Sequence, residues 1–286
     1  MNILNQKKLK QLRKQVHDKN KKTFTEDYLE QIKKYERLFQ EFPQITFLTH
    51  NIIESARLIS QGLLPQSLPL LQIPDTFQDE LFQSILKKYP MGNPKGDELW
   101  NTYSQALPKF DKLLRSYRDY LEEHYGMWAY ISAPFIKDLA GFLNNEPTLE
   151  VMAGNGYISA GLRNYDQTLM TTDSKGWTQE NETGKHTLTE IEPLDALAAW
   201  DKYHDVVKYV IMSWSPDGIP VDWQLLQKMR QTDPKVILIC IGEKFGSSGS
   251  QQFWQHANYI DPENTKKLNQ HFTHFDLVHD RVYLIQ

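Results

Sequence analysis

The chain has 286 residues, of which 40% are hydrophobic and 24% charged, and its formal net charge is −4. This is an ordinary soluble composition with room for one large domain or two modest ones, and it does not direct the whole molecule to nucleic acid or to a membrane surface. The single cysteine, Cys240, excludes an internal disulfide and any metal site built on cysteines; it lies in an apolar run and reads as a small buried hydrophobe.

The first element is a basic arm. Residues 7–22 hold eight Lys/Arg against one acid. It reads as a solvated amphipathic helix with Leu9, Leu12 and Val16 on its apolar face, nucleic-acid contact being the alternative. It lacks the apolar core of a secretory leader, and no run approaches the roughly 18–20 apolar residues of a membrane span. A cytoplasmic protein is expected.

Up to residue 124 the pattern is helical. Residues 25–42 place Tyr28, Leu29, Ile32, Tyr35, Leu38 and Phe39 on one face. A second helix is predicted over 51–61 before Gly62, and a third over 75–88, stopped by Pro90. A long fourth covers 97–124, where Pro108 is expected to kink or split it and Gly126 to end it.

From residue 125 strands alternate with helices. Ser132 and Pro134 open a helix that runs to 145. Strands are predicted at 149–153, 167–172, 186–191, 206–214 and 236–241, with helices from 157 and over 221–230, and a last helix over 250–257, over 264–270, or over both. Two further strands, 272–278 and 282–285, are separated by His279-Asp280-Arg281. So short a link forces an antiparallel hairpin, because a parallel neighbour needs a crossover of a dozen or more residues. The reading is an α/β protein with a Rossmann-like, seven-stranded, mostly parallel sheet closed by an antiparallel C-terminal hairpin. Its domains are a helical region, 1–124, and a sheet domain, 125–286.

The chemistry concentrates on one unit. Thr148-Leu-Glu-Val-Met-Ala-Gly154-Asn-Gly156-Tyr157 reads as a strand, a glycine turn and a helix. Asp173 ends the next strand. Such a unit holds an adenosine-bearing cofactor: glycines permit close backbone approach, the helix start offers free N–H groups, and the acid takes ribose hydroxyls. Local spacing is compatible with NAD as well, because Ser159 nearly supplies the third small residue of G-x-G-x-x-G. The histidines show no metal spacing, and no metal is expected.

With Glu150-Val-Met152-Ala153-Gly154-Asn155-Gly156, Asp173-Ser174, Asp195-Ala196 and Ser213-Trp214-Ser215-Pro216 in place, residues 125–286 resemble the class I S-adenosylmethionine-dependent methyltransferases. More narrowly, 125–134, 212–216, Gly242-Glu243 and 246–254 look like a poorly characterised methyltransferase-like family with a Trp-Pro-Pro segment. Met152 stands where the family motif has its first glycine, and Ser215 where it has its first proline. The resemblance implies S-adenosylmethionine as cofactor. Glu150 would receive its amino group, Asp173 and Ser174 the ribose side, and Asp195 and Ala196 the adenine. Met152 to Gly156 and Ser213 would complete the cradle. Trp214 and Asp217 are the candidates beside the transferred methyl, and Tyr125, Trp128, Tyr130, Ser215 and Gly246 are candidate lid or acceptor contacts.

Each residue also has a plain structural reading. Glu150 can cap the turn, Asp173 and Asp195 can cap helices, Asp217 can belong to a Pro-Asp-Gly turn, and Trp214, Tyr125, Trp128 and Tyr130 can be packing aromatics. The loop 242–250 reads as a mobile flap. Three functions stay open: methyl transfer to a small molecule, a cofactor-binding module with little catalysis, and a nucleic-acid methyltransferase using the basic arm. The helical region would cover the cofactor edge and shape the acceptor pocket, or form a homodimer.

Overall fold

A computed structural model describes residues 27–179 and 185–286; the basic arm at 7–22 lies outside them. The chain divides into two compact units, Met1–Thr49 and His50–Gln286.

In the first unit, α1 (Tyr28–Leu38) starts where Asp27 accepts the Leu29 N–H at 3.2 Å. It buries Tyr28 and Ile32. Phe39 and Phe42 meet edge to face at 6.5 Å. α2 (Pro43–Ser60) starts here and carries the unit boundary within it.

The second unit continues with α3 (Phe77–Lys88), α4 (Pro94–Arg115) and α5 (Tyr117–Tyr125). The break expected at Pro108 falls at Ser116 instead. Buried Phe110, Leu113 and Leu114 hold the helix in place beyond the proline, and the Ser116 hydroxyl then donates to the Leu113 carbonyl at 2.9 Å. Gly126 ends α5 at φ 60°, in the left-handed region that favours glycine.

The alternating part follows. α6 (Ala133–Leu143) is capped by Ser132, whose hydroxyl accepts the Phe135 N–H at 3.3 Å. Then come β1 (Thr148–Val151), α7 (Tyr157–Arg163), β2 (Leu169–Thr171), α8 (Ala196–Tyr203) and β3 (Tyr209–Ser213). α9 (Val221–Thr232), β4 (Ile237–Gly242), α10 (Gln251–His256), α11 (Pro262–Leu268) and β5 (Arg281–Ile285) complete the chain.

The sheet has five strands among the described residues, in the order β2-β1-β3-β4-β5. β2, β1, β3 and β4 are mutually parallel, and β5 runs antiparallel to β4 from Leu238↔Ile285 to Gly242↔Arg281. Alternation along β1 sends Leu149 and Val151 into a cluster with Trp200 of α8, Leu225 and Met229 of α9 and Phe253 of α10. Glu150, between them, faces Ser159 of α7 on the other side of the sheet. Cys240 belongs to the same apolar cluster, and burial raises its thiol well above the ordinary value.

Two expected strands are absent from the sheet, so the seven-stranded reading is corrected to five. Segment 186–191 lies across the glycine turn, where the Leu188 N–H donates to the Asn155 carbonyl at 2.9 Å. The residue after it, Glu192, makes an isolated parallel bridge to Thr172. Segment 272–278 makes no hairpin with β5. Phe272 and Phe275 are buried three positions apart, not two, and the Phe275 carbonyl accepts the Leu71 N–H at 2.7 Å. Asp276 is held by Arg118 of α5. The segment is anchored to the helical part residue by residue, and the antiparallel closure of the sheet is made by β5 on β4.

Candidate functional site

Chain order reverses between β1 and β3: β2 lies on one side of β1, and β3 on the other. In an open α/β sheet the crevice beyond the strand ends at such a point is where ligands bind. A cavity of about 690 Å³ opens here, within the size range of small-molecule sites, about 300–1,000 Å³. It is lined by Glu150, Met152, Ala153 and Gly154 after β1, by Asp173 and Ser174 after β2, by Asp195 and Ala196 at the start of α8, and by Ser213 to Asp217 after β3. Trp128 and Ser247 line it as well.

Asp173 is buried, and both its oxygens are engaged. Oδ2 accepts the Gly154 N–H at 2.8 Å; Oδ1 accepts the Lys175 N–H at 2.5 Å and the Trp177 indole N–H at 3.0 Å. An ionised carboxylate has about four acceptor sites, and three are used here. Trp177 was not expected from the sequence. Its signal was its place four residues after Asp173.

Glu150 is 2% exposed. Its Oε2 accepts the Ser159 N–H at 3.0 Å and the Ser159 hydroxyl. The Thr171 hydroxyl donates on to Ser159 at 2.6 Å, and Arg163 donates to Thr171 at 3.0 Å. Burial pushes the Glu150 carboxyl up to about 7, against the Ser159 bonds and Arg163, which pull it down.

Asp195 caps α8 with Oδ1, which accepts the Leu197 and Ala198 N–H groups at 3.0 and 2.9 Å. The cap reading and the cavity position therefore both hold. Asp217 is exposed at the cavity rim in the turn Pro216-Asp217-Gly218, with Gly218 at φ 73°. Gly154, at φ 58°, has open space where a Cβ would stand. Met152, at φ 53°, adopts the left-handed backbone that favours glycine, and Trp214, at φ 51°, does so after β3.

Five expected residues lie outside the lining. The Tyr125 carbonyl accepts from Asn155 Nδ2 and from the Tyr157 hydroxyl, both at 2.9 Å, so Tyr125 and Asn155 join α5 to the glycine turn. A Cβ on Gly156 would meet Thr189 Cγ2 at 2.7 Å: its close neighbour is the 187–191 segment of this chain. Tyr130 is buried, paired with Ser55 at 2.9 Å and donating to the Gln66 carbonyl at 2.7 Å, and burial raises its hydroxyl above the ordinary value. Gly246 also lies apart, while its neighbour Ser247 lines the cavity.

The loop 242–250 is tethered. Glu243 accepts the Ser247 and His279 N–H groups at 2.8 and 3.0 Å. Ser248 bridges to Pro216, and the Gly249 N–H donates to the Ser215 carbonyl at 2.8 Å. The Ser250 N–H and hydroxyl donate to buried Asp222 at 2.6 and 2.7 Å.

Beside the cavity lies a buried charge cluster that the sequence did not announce. Arg118 forks onto Asp276, with Nε to Oδ2 at 2.5 Å and Nη2 to Oδ1 at 3.1 Å. Its Nη1 donates to the Trp128 carbonyl at 2.8 Å and to Asp280 at 3.4 Å. The guanidinium carbon lies 5.2 Å from the Trp214 ring, and the Trp214 indole N–H donates to Asp280 at 3.1 Å. Burial alone would raise the Asp280 carboxyl; His274, Arg118 and Trp214 together bring it below its ordinary value. The cluster holds the Trp128 backbone carbonyl and the Trp214 side chain, and the two indole rings sit 6.2 Å apart at 38°.

No group of three or more His, Cys, Asp and Glu suited to a metal occurs among the described residues, and no described helix is long and apolar enough to cross a membrane. No family model and no curated protein matches the sequence. Among solved structures the chain is similar to MtNAS in complex with MTA and tNA, at 9% identity and a TM-score of 0.36 over 100% of this chain and 98% of that one. It is also similar to the plantazolicin methyltransferase BpumL in complex with SAH, at 10% identity and a TM-score of 0.32 over 73% of this chain and 95% of that one. A third is the N,N-8-amino-8-demethyl-D-riboflavin dimethyltransferase RosA from Streptomyces davawensis, at 15% identity and a TM-score of 0.25 over 85% and 69% of the two chains. At such scores these likenesses carry no inference about the chemistry of this chain.

Proposed function

We propose that the chain binds S-adenosylmethionine in the cavity beyond β1 and β3 and transfers its methyl group to a small molecule. The observation that carries this reading is the gathering of three carboxylates, Glu150, Asp173 and Asp195, with the Gly154 turn around one cavity at the reversal of strand order. The donor set suits the ligand. Asp173 has acceptor capacity left for a ribose hydroxyl, Asp195 leaves Oδ2 for an adenine amino group, and Glu150 suits an ammonium. Open space at Gly154 lets a ligand approach the backbone.

When bound, the cofactor supplies an electrophilic methyl group on a sulfonium. The protein's part is to hold the acceptor in line and exclude water. Trp214, with its ring against Arg118, and the neighbouring Trp128, whose backbone carbonyl Arg118 holds, supply walls for that. No oxyanion hole is needed, because the leaving thioether is neutral. In this reading Asp217 at the rim takes a proton from the acceptor.

The test is calorimetry of the full chain with S-adenosylmethionine and S-adenosylhomocysteine. Micromolar or tighter binding, lost in Asp173→Ala with the fold retained by circular dichroism, supports the reading. No binding to the unmodified chain sinks it. Binding without turnover on any fraction of a metabolite extract would favour the non-catalytic module.

A further inference from the structure

The described residues that line the cavity include four carboxylates, Glu150, Asp173, Asp195 and Asp217, and no Lys, Arg or His. Three tryptophans, 128, 177 and 214, line it too. The cation stacked on Trp214, Arg118, is already matched by Asp276 and Asp280 and offsets none of that charge. Apolar side chains of Met127, Ile131, Ile219 and Val221 line the cavity as well. Among them stands one hydroxyl without a role inside the protein. Ser215 is 4% exposed, lines the cavity, and its Oγ has no hydrogen-bond partner among the described residues. A buried polar atom left in that state marks a place where a partner is missing.

We propose that the methyl acceptor is a small hydrophobic amine, bound against the Trp128–Trp214 wall with its nitrogen towards Ser215 and Asp217. This rests on the cofactor reading above. Indole faces attract cations, and the Trp214 ring already holds a guanidinium at 5.2 Å. With Glu150, Asp173 and Asp195 taken up by the cofactor, a phosphorylated or carboxylated acceptor would meet the Asp217 carboxylate and no Lys, Arg or His among the described lining residues. The same charge pattern opposes a nucleic-acid backbone, which needs cationic contacts.

The step balances. The amine binds as its ammonium and first gives a proton to Asp217, which passes it to water; the freed lone pair then forms the new N–C bond to the methyl carbon. The C–S bond breaks and its electron pair goes to sulfur, leaving a neutral thioether. The methylated nitrogen keeps its remaining protons and leaves as an ammonium. Apolar packing selects the acceptor's body, and the rim carboxylate selects its charge.

The experiment uses the full chain saturated with S-adenosylhomocysteine. It is titrated with three probes of one shape: benzyltrimethylammonium, benzyl alcohol and benzyl phosphate. Tryptophan fluorescence gives the affinities. The ammonium probe should bind at least about tenfold more tightly than the phosphate probe. Asp217→Asn, an exposed turn substitution, should cut that preference severalfold, and Trp128→Ala should weaken the ammonium probe. Equal or tighter binding of the phosphate, no binding of the ammonium probe, or a preference unchanged in Asp217→Asn overturns the proposal. If S-adenosylhomocysteine itself fails to bind, the cofactor reading has failed; if it binds and the charge preference is absent, only this inference has.

Discussion

Asp173 Oδ2 accepts the backbone N–H of Gly154 at 2.8 Å, so the acid that ends β2 also sets the glycine turn after β1. The other oxygen holds Trp177 and the Lys175 N–H. One side chain thus fixes both walls of the cleft. Asp173→Asn keeps the shape, but the amide has one acceptor oxygen for three donors. Leaving buried donors unmet costs about 1–3 kcal/mol. A lower thermal midpoint together with lost binding of S-adenosylhomocysteine is the expected result. Unchanged affinity in Asp173→Asn would deny it a place against the ligand.

That double duty also explains what the sequence could and could not disclose. The strand, turn, helix and acid pattern of 148–173 was legible because each part has a local cause: buried alternation, two glycines, an acid at a strand end. The antiparallel last strand was legible too, but its partner was not. Phe272 and Phe275 looked like one strand because apolar residues crowd there, whereas each is anchored separately to helices far along the chain. Arg118, Asp276 and Asp280 gave no signal either, since an ion cluster joining residues 158 and 162 positions apart has no local pattern. Tyr125, Asn155 and Gly156 sit at the right place in the chain but spend their contacts inside the protein.

Glu150 gives the protein a pH dependence of definite sign. Its folded carboxyl titrates near 7 because it is buried, against about 4.3 in an unfolded chain. A raised pKa means that its contribution is fully favourable below the unfolded value and is lost as pH rises through 7. Stability should therefore fall between about pH 4.5 and 8, by roughly 3–4 kcal/mol in order of magnitude. Glu150→Gln should flatten that window in denaturant melts taken at several pH values. A ligand ammonium beside Glu150 should also expel its proton, so binding enthalpies measured in phosphate and in Tris should differ at pH 6.5. Equal enthalpies in the two buffers would argue against an ammonium at this carboxylate.

Arg118 is the keystone of the buried cluster, its side chain 10% exposed between Asp276 and Asp280 at 7% and 3%. Arg118→Met leaves two buried carboxylates without their cation, and breaking such a pair typically costs about 3–5 kcal/mol. Arg118→Lys keeps the charge but not the fork onto Asp276. It should fold, yet its tryptophan emission should shift, because the hold on the Trp128 carbonyl and the cation on the Trp214 ring are both altered. An emission spectrum identical to that of the parent would show that Arg118 does not set those rings.

Met152 offers the sharpest backbone test. At φ 53° it occupies the region that a residue with a Cβ enters at a cost of about 1–2 kcal/mol. Its thioether is half-buried and packs on the cluster around Leu149 and Trp200. Met152→Gly removes the strain and the packing together, terms of similar size and opposite sign, so the thermal midpoint should move by only a few degrees. Met152→Val keeps a side chain but puts a β-branched residue at positive φ, the least tolerated choice there. It should lower the midpoint well beyond the glycine variant. Because Met152 lines the cavity, Met152→Gly should also enlarge the cradle and bind S-adenosylhomocysteine at least as tightly as the parent chain. Weaker binding in Met152→Gly, with stability unchanged, would show that the thioether itself contacts the ligand.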